Sequence, residues 1–590
     1  MTKMRTIDEL VKLAEAGSFY ACERGARAWL REHPGDVAAA YLLGLSLMRM
    51  GRLDESVAHL GVAAAQEPPQ RDCVMNHADA LFGCGRYVDG AREMARATRY
   101  YPECGRAHAK LAFMLMRCGM FVDAMESCLR AMQLEPRAGD VAALFGTCLT
   151  SLGRPEEAEA WFEKAAALEP TNSFVQGERA FHCNYVHGTT REEMLREHER
   201  YGALVRGSGV AGREREYDAD PNRRLRVGLV SADLGDHPVA RFLRGWLAHR
   251  DREQFELYAY SNLPREDECT AEIKGLFTVW HTIRNMTDGA AANLVRRDEI
   301  DILIDLSGLT GGSRMRVMAA RAAPVQMTYL GYPNTTGLTE IDYRIVDDLT
   351  DPEGADAWAT EELLRVQAPF LCWTPPGDAP EVRTRDGGRP FTFGSFNYPG
   401  KMSEHTLELW RRVLEATPGS RLLLKAKGFD EVKSRASVEK RLGECGLDLS
   451  RVELRGFAED LRSHMAHYQD VDVALDPFPY HGTTTTCEAL WMGVPVVSLV
   501  GDRHASRVGL SILSAVGLGS MVARDEEHYV AIAGMLASRP AALAALRASL
   551  RARVAGSALC DAPGFARRFE GSLRAAWRQR SARRLFARAA

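Results

Sequence analysis

Gly17, Gly51, Gly85, Gly119 and Gly153 are spaced by 34 residues, and so are Pro34, Pro68, Pro102, Pro136 and Pro170. A third column, five places after each glycine, holds small residues: Cys22, Ser56, Gly90, Ala124 and Ala158. A repeat of this length is a helix–turn–helix unit in which glycine makes the turn, the small residue lets two helices approach and proline ends the second helix. One such unit cannot bury its own apolar face, so successive units must stack, and the stack presents a long concave surface to a partner chain. The spacing predicts an α-solenoid over residues 1–187.

Thirty-four residues is the tetratricopeptide period. Taken alone, such an array would be a scaffold or chaperone adaptor, but two thirds of the 590-residue chain follows it. That length requires more than one core. A net charge of −4 leaves no whole-chain electrostatic footprint for nucleic acid, and no apolar run is long enough to span a bilayer. The opening stretch MTKMRTIDELVKLAEAG reads as the first helix of a fold and not as a secretion signal, so the expected location is the cytoplasm. The 13 cysteines lack CxxC spacing and lie within apolar helical patterns, which suits small buried hydrophobes in a reducing compartment. His182, Cys183 and His187 form a cluster that core packing explains better than a metal does. No metal or other cofactor is expected.

The pattern changes after residue 187. Thr190–Leu204 predicts one more amphipathic helix, and Gly207–Asn222 a linker, together spanning 188–222. From residue 223, short apolar runs alternate with helical patterns, which predicts parallel sheets with crossover helices. The strands expected over 223–375 are Leu225–Ser231, Phe255–Ser261, Ile302–Leu306, Val325–Leu330 and Tyr343–Val346. A Pro/Gly-rich linker at 376–390 leads to a second series over 391–565: Phe391–Phe396, Arg421–Ala426, Val452–Leu454, Val471–Leu475 and Val494–Leu499. Residues 566–590 predict a helix packed on the lobes and then a basic, solvated tail. Two doubly wound lobes in tandem should hold their ligand beyond the carboxyl ends of the strands. Polar residues gather there: Asp233, Asp236 and His237; Asp305 and Thr310; Gly331, Tyr332, Pro333 and Thr335; Asn397, Tyr398 and Lys401.

The richest stretch, Val471–Gly501, reads strand, Pro/Gly turn, four threonines (Thr483–Thr486), helix, strand. A loop that opens a helix offers unpaired N–H groups and a positive dipole end, which suits a phosphate. Glu488, one turn further on, suits sugar hydroxyls instead. The same pattern also suits a threonine-rich helix cap without a ligand. No Walker lysine follows, so the stretch is not a P-loop.

FPYHGTTTTCEALWMGVPVV followed by HASRVGLSIL resembles the donor-binding signature of the tetratricopeptide-containing protein O-glycosyltransferases, the O-GlcNAc transferase and SPINDLY group. The resemblance runs from Arg223 to about Trp577, with the repeats in front, and implies the two-lobed GT-B fold. It implies that Lys401 contacts the donor phosphates, that His464 stacks on the nucleotide base, that Ala458 offers backbone to the base edge, and that Gly331 and Pro333 lie near the sugar. Asn397, Tyr398, Tyr480 and Gly482 complete the implied donor pocket. Animal relatives carry histidine where Thr483 stands and aspartate where Glu488 stands; TTTTCE is closer to the plant SPINDLY type, whose donor is GDP-fucose. Leu309 replaces a frequent aromatic or histidine, and the long insert between the lobes of animal enzymes is absent.

Transfer from a nucleotide sugar needs charge to neutralise the departing diphosphate. No DxD-type acidic pair ends a strand to hold a metal, so Lys401 and the Thr483–Thr486 helix terminus are expected to supply it. His237 could accept a proton from an acceptor hydroxyl or orient it, or simply cap the helix that Pro238 begins; Asp305 is the fallback base. The expected function is an inverting, metal-independent transfer of GlcNAc from UDP-GlcNAc to Ser or Thr of proteins bound along the repeats, which are also where two copies would pair. No nucleic acid or membrane is expected as a partner. The alternatives are O-fucosylation from GDP-fucose, or an inactive repeat scaffold.

Overall fold

The computed structural model describes residues 6–207, 216–383 and 388–589, so part of each expected linker lies outside the described residues. The chain divides into two compact units. The first is Met1–Leu152 with Ala167–Glu169 and Glu431–Ser437; the second is the remainder.

In the first unit, antiparallel helix pairs turn at Gly17, Gly51, Gly85 and Gly119, whose φ values of +72° to +83° lie where a side chain would be strained. The small-residue column does what its spacing predicts. Ser56 Oγ donates to Gly44 O at 2.7 Å, and a Cβ on Gly44 would meet the Leu60 backbone nitrogen at 2.9 Å, so bulk at either place would separate the helices. Cys22 and Ala26 are fully buried with Leu10, Leu43 and Leu47.

The second unit holds two all-parallel sheets. The first contains β1 (Leu225–Ser231), β2 (Phe255–Ser261), β3 (Val279–Thr282), β4 (Ile302–Asp305), β5 (Val325–Thr328), β6 (Tyr343–Asp347) and β7 (Glu362–Val366), in the order β3-β2-β1-β4-β5-β6-β7. The second contains β8 (Thr392–Ser395), β9 (Arg421–Lys425), β10 (Val452–Arg455), β11 (Val473–Leu475), β12 (Val496–Leu499) and β13 (Val522–Ala523), in the order β10-β9-β8-β11-β12-β13. This is the doubly wound arrangement expected, and the strand order reverses between β1 and β4 and between β8 and β11. Three strands escape the sequence reading. β3 and β7 are partly exposed edge strands without a continuous apolar run, and β13 has two residues.

The C-terminal helix departs from expectation. It begins at Ala562 and stays helical through Ala589 instead of giving way to a tail. Phe569, Leu573 and Trp577 are fully buried, Trp246 donates to Glu570 at 3.0 Å, and Trp577 donates to Asp220 O at 3.0 Å. The arginines that suggested solvation are partly spent on this docking, as Arg574 donates to the carbonyl of Arg223 at 2.8 Å. His182, from the suspected cluster, is a core residue: it packs on Phe162 at 4.5 Å, and burial lowers its pKa to about 4. Among the described residues no single helix is long and apolar enough to cross a membrane.

Candidate functional site

Both strand-order reversals open at the carboxyl ends of their strands, and the loops there carry the residues singled out from sequence. In the second lobe, the loop after β11 is held from beneath. Asp476 accepts from Gly482 N at 2.7 Å and Ser498 Oγ at 2.7 Å, and the buried His481 ring contacts Leu499 O at 2.8 Å. Gly482 is required, because a Cβ there would meet Thr485 Oγ1 at 2.3 Å.

The four threonines then divide. Thr486 Oγ1 turns back to Gly482 O at 3.1 Å, and Thr485 Oγ1 donates to Asn397 Oδ1 at 3.0 Å. Thr483 and Thr484, both half-buried, keep hydroxyls that bond no described residue, and they stand at the start of the helix Thr484–Trp491. Two hydroxyls, not four, are thus offered to a ligand, together with the free N–H groups of the helix terminus.

Lys401 ends the short turn after β8. Its Nζ donates to His481 O at 2.6 Å and lies 4.0 Å from the Tyr480 ring centroid. Tyr185 stacks on the other side of this cluster, 5.3 Å from Tyr480 and 5.8 Å from Tyr398. Burial lowers the Lys401 pKa to about 8, with Asp476 opposing. The one bond that Nζ makes here is to a carbonyl, and the carboxylate that opposes the shift, Asp476, is itself bonded to Gly482 N and Ser498 Oγ, so the ammonium is suited to an anionic ligand.

Glu488 is 4% exposed and receives two partners. His464 Nε2 lies 2.9 Å from one oxygen, and Arg241 Nη1 lies 3.3 Å from the other. Lys425, at the end of β9, places its Nζ 2.9 Å from His464 Nδ1, so the ring accepts from Lys425 and donates to Glu488. A carboxylate has about four lone-pair sites, which leaves Glu488 room for sugar hydroxyls. Phe396, Phe457 and Tyr468 surround His464 and Lys425 with aromatic faces, and Ala458 lies beside exposed Phe457. Arg241 and Lys425 were not anticipated. Lys425 sits at a strand end, where the strand-end rule could have found it, and Arg241 lies one turn after His237 on the same helix face.

In the first lobe, His237 caps the helix Pro238–His249. Its Nδ1 accepts from Val239 N at 3.3 Å, so Nε2 carries the hydrogen of the neutral ring. Asp233 lies 3.8 Å from the same Nδ1, too far to bond it. The arrangement suits donation to a ligand better than proton abstraction. Burial lowers the His237 pKa, and Asp233 opposes that shift.

Asp305, the fallback base, is 1% exposed and committed. It accepts from Gly308 N at 2.8 Å, Ser307 N at 3.2 Å and Thr328 Oγ1 at 2.9 Å, which makes it the anchor of the loop after β4. Burial raises its pKa to about 6. Thr310 Oγ1 donates to Ser307 O at 2.8 Å. The residue lines, with Leu309, Phe174 and Tyr201, a cavity of about 270 Å³.

Gly331 is fixed by contact, since a Cβ there would stand 1.9 Å from Leu306 O. The adjoining Tyr332 hydroxyl meets His198 Nε2 at 2.6 Å and accepts from Asn184 Nδ2 at 2.9 Å, and Thr335 Oγ1 donates to Glu361 at 2.6 Å. His198 belongs to the helix Arg191–Gly207, which opens on a capping box between Thr190 and Glu193. That helix touches the first lobe backbone to backbone, because a Cβ on Gly202 would lie 1.8 Å from Gly337 O. Gly202→Ala is therefore expected to cost about 3 kcal/mol of stability, readable in denaturant unfolding, and to pull His198 away from Tyr332. A loss within 0.5 kcal/mol would show that this packing is not tight.

Comparison with known proteins follows the same outline. The family model described as glycosyl transferase family 41 matches residues 213–372 and 389–569, and a tetratricopeptide repeat model matches 140–172. A probable UDP-N-acetylglucosamine–peptide N-acetylglucosaminyltransferase SPINDLY of Arabidopsis thaliana is 38% identical over 422 residues, which cover 70% of this chain and 46% of the relative. The chain thus spans about half the length of the curated relatives it matches. The solved structure of a Thermobaculum terrenum O-GlcNAc transferase mutant superposes with a TM-score of 0.82 at 32% identity, covering 87% of this chain and 98% of that one.

Proposed function

Because the chain belongs to glycosyl transferase family 41, we propose that it is an inverting, metal-independent protein O-glycosyltransferase that moves GlcNAc from UDP-GlcNAc to Ser or Thr side chains. The observation that carries this reading is Lys401, a desolvated ammonium bonded to the loop that ends in the threonine helix terminus. The diphosphate would lie between Lys401 and the N–H and hydroxyl groups of Thr483 and Thr484. The bound diphosphate already carries two negative charges, and as the glycosidic bond breaks a further one grows on the leaving phosphate, where the preformed cation and dipole stabilise it. Glu488, steered by Arg241 and His464, would accept from the ribose. His237 Nε2–H would orient the acceptor hydroxyl. Acceptor proteins would engage the repeats, in the cytoplasm.

GDP-fucose is the second donor, suggested by the resemblance of the TTTTCE sequence, with Thr483, to the SPINDLY type. Titration of the full chain with UDP, GDP, UDP-GlcNAc and GDP-fucose, without added metal, separates the two. Stabilisation by the uridine compounds alone is expected; stabilisation by guanosine compounds alone replaces the donor, and silence from all four overturns the enzyme reading in favour of a scaffold.

A further inference from the structure

A second polar cavity, of about 30 Å³, lies where the helix Arg191–Gly207 meets both lobes. Its charged lining is Arg191, Arg344, Asp351, Asp502 and Arg503, with His504 beside them. The carboxylates are already shared. Asp351 takes His504 Nδ1 at 2.5 Å and Arg344 Nη1 at 3.4 Å, while Asp502 takes Arg503 Nε at 3.2 Å and Arg191 Nε at 3.6 Å.

The guanidiniums are left with donors to spare. Arg344 is 5% exposed, its Nη2 has no partner among the described residues, and its one bond is the long one to Asp351. Arg503, whose side chain is 11% exposed, gives Nη2 to Thr189 O at 2.7 Å, but its Nη1 faces only the Met194 sulfur, at 3.2 Å. A thioether is a weak acceptor, and an unspent donor on a buried cation is costly. Three guanidiniums against two carboxylates leave the lining net positive even with His504 neutral.

We propose that this cavity binds a small free oxyanion, a phosphate or a carboxylate, which accepts from Arg344 and Arg503 and ties the two lobes together. The forked guanidinium suits that ligand, and the volume holds about two waters or one anion of a few heavy atoms. Arg344 and Asp351 come from the first lobe and Arg503 and His504 from the second, so an occupied site would brace one against the other. Pro333 and Asn334 line the same cavity, which joins it to the loop held by Tyr332. The inference does not depend on the donor assignment.

The test is the unfolding temperature of the full chain against inorganic phosphate and against acetate, with chloride at matched ionic strength as the control. A saturable rise is expected with at least one oxyanion; whichever acts at the lower concentration identifies the phosphate or the carboxylate source. The rise should persist in Lys401→Ala, which separates this cavity from the threonine helix terminus, and vanish in Arg503→Met. Should Arg503→Met not fold, Arg191→Met, about a third exposed, removes one positive charge from the lining without removing a contact, and should raise the half-saturating concentration roughly twofold, about 0.4 kcal/mol. No response beyond chloride, a response lost in Lys401→Ala, or one unchanged in the arginine variants overturns the proposal.

Discussion

Lys401→Ala is expected to lower kcat for sugar transfer about 10²–10³-fold while leaving the fold intact, because it removes a preorganised charge used mainly as the leaving group develops its own. The stability sign supports the second half of that statement. Burial holds the folded-state pKa at about 8, below the ordinary lysine value, so the charged form is disfavoured by folding. Between about pH 8 and the unfolded value of ~10.4 the unfolded chain binds more protons, and stability rises with pH; below pH 8 the full cost is present. Alanine removes that cost, so the unfolding temperature near neutrality should hold steady or rise. The same pKa sets the pH profile. kcat/KM, which reports the free enzyme, should fall tenfold per pH unit above about 8, whereas a bound diphosphate restores the charge and moves the limb in kcat upward. A variant with unchanged kcat, or a kcat/KM profile flat to pH 9.5, would refute the role given to Lys401.

Sequence was informative where one residue type answers one local demand. The glycine column needs left-handed backbone at fixed spacing, and Gly17, Gly51, Gly85 and Gly119 all show it. Buried parallel strands such as β1 and β2 are continuous apolar runs and were found with the bounds they have. Partners brought together by the fold left no such trace. Arg241 and Glu488 are 247 positions apart, and only the approach of the two lobes pairs them. Nothing local told Thr486 from Thr483 either, because the difference lies in whether Gly482 O stands within reach of the hydroxyl. Asp305 carries the same limit: a strand-end aspartate looks like a base until the backbone N–H groups of Ser307 and Gly308 are seen closing around it. Type and position were legible; commitment of hydrogen bonds was not.

His237 is where that limit matters most for mechanism, and one pair of variants separates its roles. With Nδ1 accepting from Val239 N, the ring presents Nε2–H outward, and to act as a base through Nε2 it would have to surrender the cap and carry its hydrogen on Nδ1 instead, facing Asp233 3.8 Å away. His237→Ala removes both cap and donor. It should cost about 1 kcal/mol of stability from the helix terminus and about 10²-fold in kcat/KM from the lost orientation of the acceptor. His237→Asn separates the roles, since its amide oxygen caps a helix as well as any side chain and its amide N–H₂ still donates, yet it cannot take a proton at neutral pH. Stability should return to the parent value and kcat/KM to within about tenfold of it. The pH profile sharpens the distinction. Burial lowers the pKa of His237, and both the neutral and the protonated ring donate from Nε2, so a donor role leaves kcat/KM without a His237 limb on the acid side. A base would instead be silenced as the pH falls through that lowered pKa. An acid limb present in the parent and absent in His237→Asn, together with an asparagine variant as inactive as the alanine one, would make His237 the base and displace the donor role drawn from its cap geometry.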